Sequence, residues 1–234
     1  MIHPARRSLP NRLPVALLSL AILSLAMLSL SGCAREYLSD QERMNEQIPW
    51  EMPPVDVDLE AWQAPATLGA FTFQGEMQMD DRALRLLRYV RTHEDGRDQR
   101  LDIHLFPIPS GWEDMPPSRR VAGQYGQQRQ SLGERALQRG ARNVTVSEER
   151  MDVTPQISHP MAVGHLLQQY ANADALTILT VTALPPVFVT VTVTATVTAL
   201  SDSALRESGA ALDADTRTAL LEFAAANTDL TVEE

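Results

Sequence analysis

The sequence predicts an α+β fold: an antiparallel sheet of about six or seven strands packed with two main helices. Three patterns carry this expectation. From Val187 to Thr198, valines and Ala195 take every odd position, while Phe188 and five threonines take the even ones. That strict period of two fits a strand and not a helix. Asp95-Gly96 stands between two β-compatible runs, the strongest short-range hairpin signal. Two further stretches, 117–142 and 213–227, repeat apolar residues at helical spacing.

Taken in chain order, Phe71-Thr72-Phe73 is the first strand candidate. Residues 85–92 and 101–107 form the arms of the hairpin. In the second arm Leu101, Ile103 and Leu105 face one way, and Asp102 and His104 the other. The first arm is less regular, because Leu84, Leu87 and Val90 would also line a helix; the hairpin decides for a strand. Pro116-Pro117 then opens a helix running to Arg142, with Val121, Tyr125, Leu132 and Ala136 on one face. Gly123, Gly126 and Gly133 weaken it by about 1 kcal/mol each relative to Ala. Asn143–Met151 reads as extended. Met161–Tyr170 fits two readings, a helix by Val163, Leu166, Leu167 and Tyr170, or a strand entering a meander at Asn172–Asp174. Thr177–Ala183 pairs with 187–198 through Pro185-Pro186. The long Val/Thr strand would span about 40 Å at roughly 3.3 Å per residue, and left uncovered it would template aggregation, so a central position is expected. The terminal helix is capped by Asp213 or Asp215, turns Leu220, Phe223 and Ala224 to the core, and ends at Asn227, with a shorter helical piece before it at 203–209.

All 20 basic residues are Arg, against 30 acids, for a net charge of −10. A surface of that sign repels phosphate backbones, so nucleic acid is not an expected partner. The single cysteine, Cys33, excludes an intramolecular disulfide and any multi-cysteine metal site.

That cysteine ends an N-terminal pattern. Arg6, Arg7 and Arg12 precede an apolar run from Leu13 to Leu30, and Leu30-Ser31-Gly32-Cys33 follows. The segment resembles the bacterial lipobox, in which an apolar residue, two small residues and an obligatory Cys close the export signal. The resemblance implies cleavage between Gly32 and Cys33, lipidation of Cys33, and a mature chain attached to the membrane by its acyl chains, palmitate among them. Each buried methylene contributes about 0.8 kcal/mol, so two or three chains hold firmly where one would not. Ala34, where an Asp would favour inner-membrane retention, implies the periplasmic face of the outer membrane.

The expected organisation is therefore a signal over 1–32, a lipidated N-terminus and Pro-rich tether over 33–68, and one α+β domain over 69–234. Pro49, Pro53, Pro54 and Pro65 break regular structure in the tether, which leaves room for a short helix at Leu38–Gln47. Trp62 and Trp50 are expected to fold back on the domain. Asp56, Asp58 and Glu60 alternate, but Ca²⁺ takes about 6–8 oxygens, so they read as solvated acids and no metal is expected. The order of elements also resembles the PsbP-like fold, an antiparallel sheet between helices, and Asp102–Pro109 with the Val/Thr hairpin resembles a pattern of uncharacterised proteobacterial lipoproteins. These likenesses imply an α/β/α sandwich serving as an accessory or binding module.

No catalytic constellation emerges. The glycines at 123, 126, 133 and 140 are spread along a helix and form no phosphate loop, and HExxH and GxSxG are absent. No cofactor is expected. His93 borders the hairpin turn, and His104, His159 and His165 are scattered; the one conceivable site would join His104, His165 and Asp102. Asp80-Asp81 and Glu148-Glu149 read as solvated charge. The threonine face of 188–198 would make a flat ladder for an ordered surface or a glycan, or simply face water or a helix. The sequence thus leads to a non-enzymatic module with an envelope protein partner, ahead of an apolar-ligand carrier using the valine face, and ahead of a hydrolase with an unrecognised site.

Overall fold

The computed structural model describes residues 57–79, 84–92, 98–153, 159–197 and 201–230. Gly32, Cys33, the 38–47 segment, Trp50, Asp56, Asp80-Asp81, His93 and Asp95-Gly96 lie outside them. Eight strands form one antiparallel sheet: β1 (Thr67–Leu68), β2 (Phe71–Met79), β3 (Leu84–Thr92), β4 (Asp98–Pro107), β5 (Asn143–Val153), β6 (Pro160–Gln169), β7 (Asp174–Leu184) and β8 (Val187–Val197). Their order across the sheet is β1-β2-β3-β4-β8-β7-β6-β5. Two helices, α1 (Pro117–Gln138) and α2 (Asp202–Ala226), complete an α+β fold.

The Val/Thr strand is central, as its pattern demands. β8 lies between β4 and β7, and alternation splits its residues between two different environments. Its valines stand beside Leu101, Ile103 and Leu105 of β4 and Ile178 of β7, under Leu212, Ala219, Leu220 and Phe223 of α2. Those side chains, with Trp62, occupy the valine face where an apolar ligand would have lain. Fully burying each large apolar side chain contributes about 1.5–3 kcal/mol, so this layer dominates the stability.

The two helices lie on opposite faces. A Cβ on Gly164 would meet Tyr125 of α1, whereas Gly209 of α2 packs against the neighbouring His165. Adjacent strand residues point to opposite sides, which assigns one helix to each. Helix α1 lies over β5, β6 and β7. With both faces covered, Met161–Leu166 are all buried, and no alternation is left to distinguish strand from helix. β6 is therefore a strand despite its helical spacing.

Three boundaries differ from expectation. The folded body begins before residue 69: Leu59, Trp62 and Leu68 are buried, β1 pairs with β2, and Trp62 stacks on Phe223 at 6.1 Å. The buried Arg85 holds this strap by donating to the carbonyls of Leu59 (2.7 Å) and Trp62. At the other end of the chain, Asn227 accepts from the Gln63 N–H (2.6 Å) and donates to the Gln63 carbonyl (3.2 Å). Asp58, one of the alternating acids, accepts from the N–H groups of Glu60 and Ala61 in a local turn. Helix α1 stops at Gln138 rather than Arg142. Gly140 takes φ +92°, a left-handed conformation suited to glycine, and the Arg142 N–H already bonds the Gln169 carbonyl beside β5. Helix α2 is one continuous element. Its N-cap is Ser201, whose hydroxyl accepts from the Ala204 N–H, and not Asp213 or Asp215. Those aspartates instead bind Arg150 and Arg91 from the sheet.

Candidate functional site

Because α1 packs mainly over β5–β7, the same face of the sheet over β2–β4 has no helix packed closely on it among the described residues. Met77, Leu86, Arg88, Val90, Arg100 and Phe106 are half-buried or exposed there. A shallow groove of about 200 Å³ lies at its outer end, lined by Gln74, Gly75, Met77, Leu86 and Arg88 among others.

Strand register places the charges of this face in one row. Arg88 of β3 stands opposite Asp102 of β4, which stands opposite Thr192 of β8. Asp102 is almost wholly buried, and a lone carboxylate there would lose its hydration without compensation. Two guanidinium groups supply it: Arg88 donates from Nε at 2.8 Å and Nη2 at 3.3 Å, and Arg100 forms an ion pair with its Nε 3.0 Å away. Both arginine side chains keep more than two-fifths of their surface exposed. Each guanidinium carries five N–H donors, so donors outnumber what one carboxylate accepts.

One row along, His104 of β4 faces Thr190 of β8. The ring of His104 stacks on Phe106 at 6.2 Å. Its Nδ1 and the Thr190 hydroxyl are both buried without a hydrogen-bond partner among the described residues. Burial pushes the His104 pKa down to about 4. Asp102 opposes that shift, while Arg135, Arg100 and Arg88 reinforce it. The imidazole is therefore neutral at neutral pH. Arg135, near the C-terminal end of α1, is half-buried and donates to the Ser131 carbonyl. Burial, then Arg139 and Arg100, lower its pKa, and Asp102 is the only acid that raises it. Burial is the largest cause of both shifts, and Arg100 and Asp102 act on both groups, so His104 and Arg135 lie within reach of the same ion cluster.

The sites considered from sequence fare differently. His104 and His165 lie on opposite faces of the sheet, so the His104–His165–Asp102 constellation is not assembled. His165 packs under Gly209 of α2, and burial lowers its pKa despite Glu148 and Asp213 nearby. The threonine ladder is not a free surface either: Thr190 and Thr192 are buried, and Thr196 alone of the described even-numbered threonines is exposed. Glu148 and Glu149 are paired rather than merely solvated. Glu149 accepts from Tyr125 (2.9 Å) and Arg129 (2.7 Å), and Glu148 from Arg150 (2.6 Å), which also binds Asp152 and Asp213. Among the described residues no group of three or more His, Cys, Asp or Glu is placed to hold a metal ion.

Sequence reasoning missed Arg88, Arg100 and Arg135. The signal was the hairpin register. Thr92 pairs with Asp98, so five residues separate the arms and Arg88 meets Asp102. A two-residue turn at Asp95-Gly96 would shift the pairing by one residue and direct Arg88 to the opposite face from Asp102.

No model of a known protein family matches the chain, and no curated protein matches it.

Proposed function

We propose that this chain is a lipid-anchored, non-enzymatic binding or accessory module on the periplasmic side of a bacterial cell envelope, held at the outer membrane through acylated Cys33. The anchor rests on Leu30-Ser31-Gly32-Cys33 and the basic-then-apolar segment before it. The binding role rests on one observation: among the described residues, the β2–β4 part of one sheet face has no helix packed closely on it and carries both apolar and cationic side chains. Antiparallel sheets tolerate a wet face, but a wet face usually alternates to plain polar residues; Leu86, Val90 and Phe106 do not follow that rule. The partner in this reading is another envelope component, reached without leaving the membrane.

The test joins the two halves. A photo-crosslinking residue is placed at Leu86 or Val90 of the full chain in cells, with Arg206 on α2 as the control position. One discrete adduct from the open face, absent from Arg206 and lost with Cys33→Ala, supports the reading. Equal labelling from both positions, or a Cys33→Ala chain that still matures at the same bond and stays equally membrane-bound, overturns it.

A further inference from the structure

We propose that the open sheet face binds a phosphate group at Arg88 and Arg100, beside Arg135. This rests on the binding-module reading above and names its ligand chemistry.

Four observations converge on that site. Asp102 holds Arg88 by two hydrogen bonds, at 2.8 and 3.3 Å, and Arg100 by an ion pair at 3.0 Å, so both guanidinium groups are positioned before any ligand arrives. Ordering costs that flexible arginines would otherwise meet on binding are thereby reduced. Second, the charge does not balance. Arg88 and Arg100 both pair with the one carboxylate of Asp102, Arg135 lies within its electrostatic reach, and His104 beside them is neutral. The helix dipole at the end of α1 accounts for about half an elementary charge of that excess and no more. Third, the Thr190 hydroxyl is 1% exposed and lacks a partner, one row from Asp102 on the same face. Buried polar groups of this kind are almost always satisfied, by an ordered water or by a ligand oxygen. Fourth, the groove over Met77 and Leu86 adjoins Arg88 and has room for an uncharged substituent next to the bound anion.

Phosphate fits better than a second carboxylate. Its monoester carries about −1.5 to −2 charge and three acceptor oxygens, which match a surplus of cations and donors larger than one carboxylate can satisfy. Two sources share this chemistry, a phospholipid headgroup and a free phosphate-bearing solute.

The experiment uses the full chain in non-ionic detergent and isothermal titration with two probes, inorganic phosphate and short-chain phosphatidic acid, whose headgroup is a phosphate monoester, at matched ionic strength against chloride. Saturable binding is expected. It should weaken at least about tenfold, a cost of about 1.4 kcal/mol, in the double variant Arg88→Gln/Arg100→Gln. Arg206→Gln on the opposite face should leave it unchanged. Arg88→Lys/Arg100→Lys, which keeps charge but loses the forks, should fall between. Tighter binding of phosphatidic acid identifies the headgroup as the source, and equal or weaker binding identifies a soluble phosphate; either supports the site. No saturable binding of either probe, or equal losses in Arg206→Gln and the double variant, overturns it. If the open face still crosslinks a partner in cells while both probes fail, the module stands and the phosphate site falls.

Discussion

Acidification should weaken this protein through His104. The folded-state pKa lies near 4, against 6.5 for an unconstrained imidazole, because burial and the three arginines Arg135, Arg100 and Arg88 outweigh Asp102. A histidine depressed in this way binds its proton in the unfolded chain first. Its contribution to stability is complete above pH 6.5 and drains away as pH falls toward 4. Each pH unit in that window costs at most about 1.4 kcal/mol, for a ceiling of about 3 kcal/mol. Part of the ring meets solvent, which screens the field and sets the true figure below that ceiling. Between pH 7 and pH 4.5 the loss from His104 should be about 2 kcal/mol. Urea unfolding of the full chain, followed by circular dichroism at both pH values, measures it. His104→Phe preserves the stack on Phe106 and removes the titration; His104→Asn removes it without adding volume. Both variants should lose about 2 kcal/mol less than the native chain on acidification. His165, also depressed by burial, is present in all three proteins and cancels in the difference. Parallel losses in the native chain and both variants would refute the assignment of a buried, neutral His104.

Two substitutions test the packing on either side of the sheet. Gly164→Ala would bring a Cβ to 2.0 Å from the Tyr125 hydroxyl oxygen, forcing the ring off Glu149, and should cost about 1–3 kcal/mol; adding Tyr125→Leu should recover part of the loss in a thermal melt. Leu220→Ala empties a fully buried position beneath α2 and should cost about 2–5 kcal/mol by denaturant titration with an unchanged slope, whereas a loss below about 0.5 kcal/mol would show that the valine layer closes without it.

What the sequence made legible was the part governed by strict periodicity. β8 keeps its alternation of valine and threonine even though Thr190 and Thr192 are buried, and its pattern gave away position, partner and orientation. The second hairpin arm likewise placed His104 and Asp102 on one face and Leu101, Ile103 and Leu105 on the other. Legibility failed where tertiary contacts override local signals. β6 is buried on both faces and so lost its alternation. The short piece expected at 203–209 and the terminal helix are one element, and its Gly209 is the point where α2 approaches His165, with a Cβ position only 3.0 Å from Nδ1. Asp213 and Asp215 looked like caps, yet they face arginines on strands more than sixty residues away in sequence. The strap before residue 69 looked like tether because its prolines forbid regular structure, while Leu59 and Trp62 are buried without any. The cationic cluster depended on a register that one residue of turn length inverts, and no single residue in it is unusual for its own strand.

The strap has a mechanical consequence. A pull entering at residue 57 is resisted first by the Arg85 clamp on the carbonyls of Leu59 and Trp62, then by the Asn227 bridge to Gln63. Load arriving through the residues before 57 is thus split between the third strand and the Asn227 end of α2 before it reaches the two-residue edge strand. Shortening the protein by its last helical turn would slacken the beginning of the fold as well as its end.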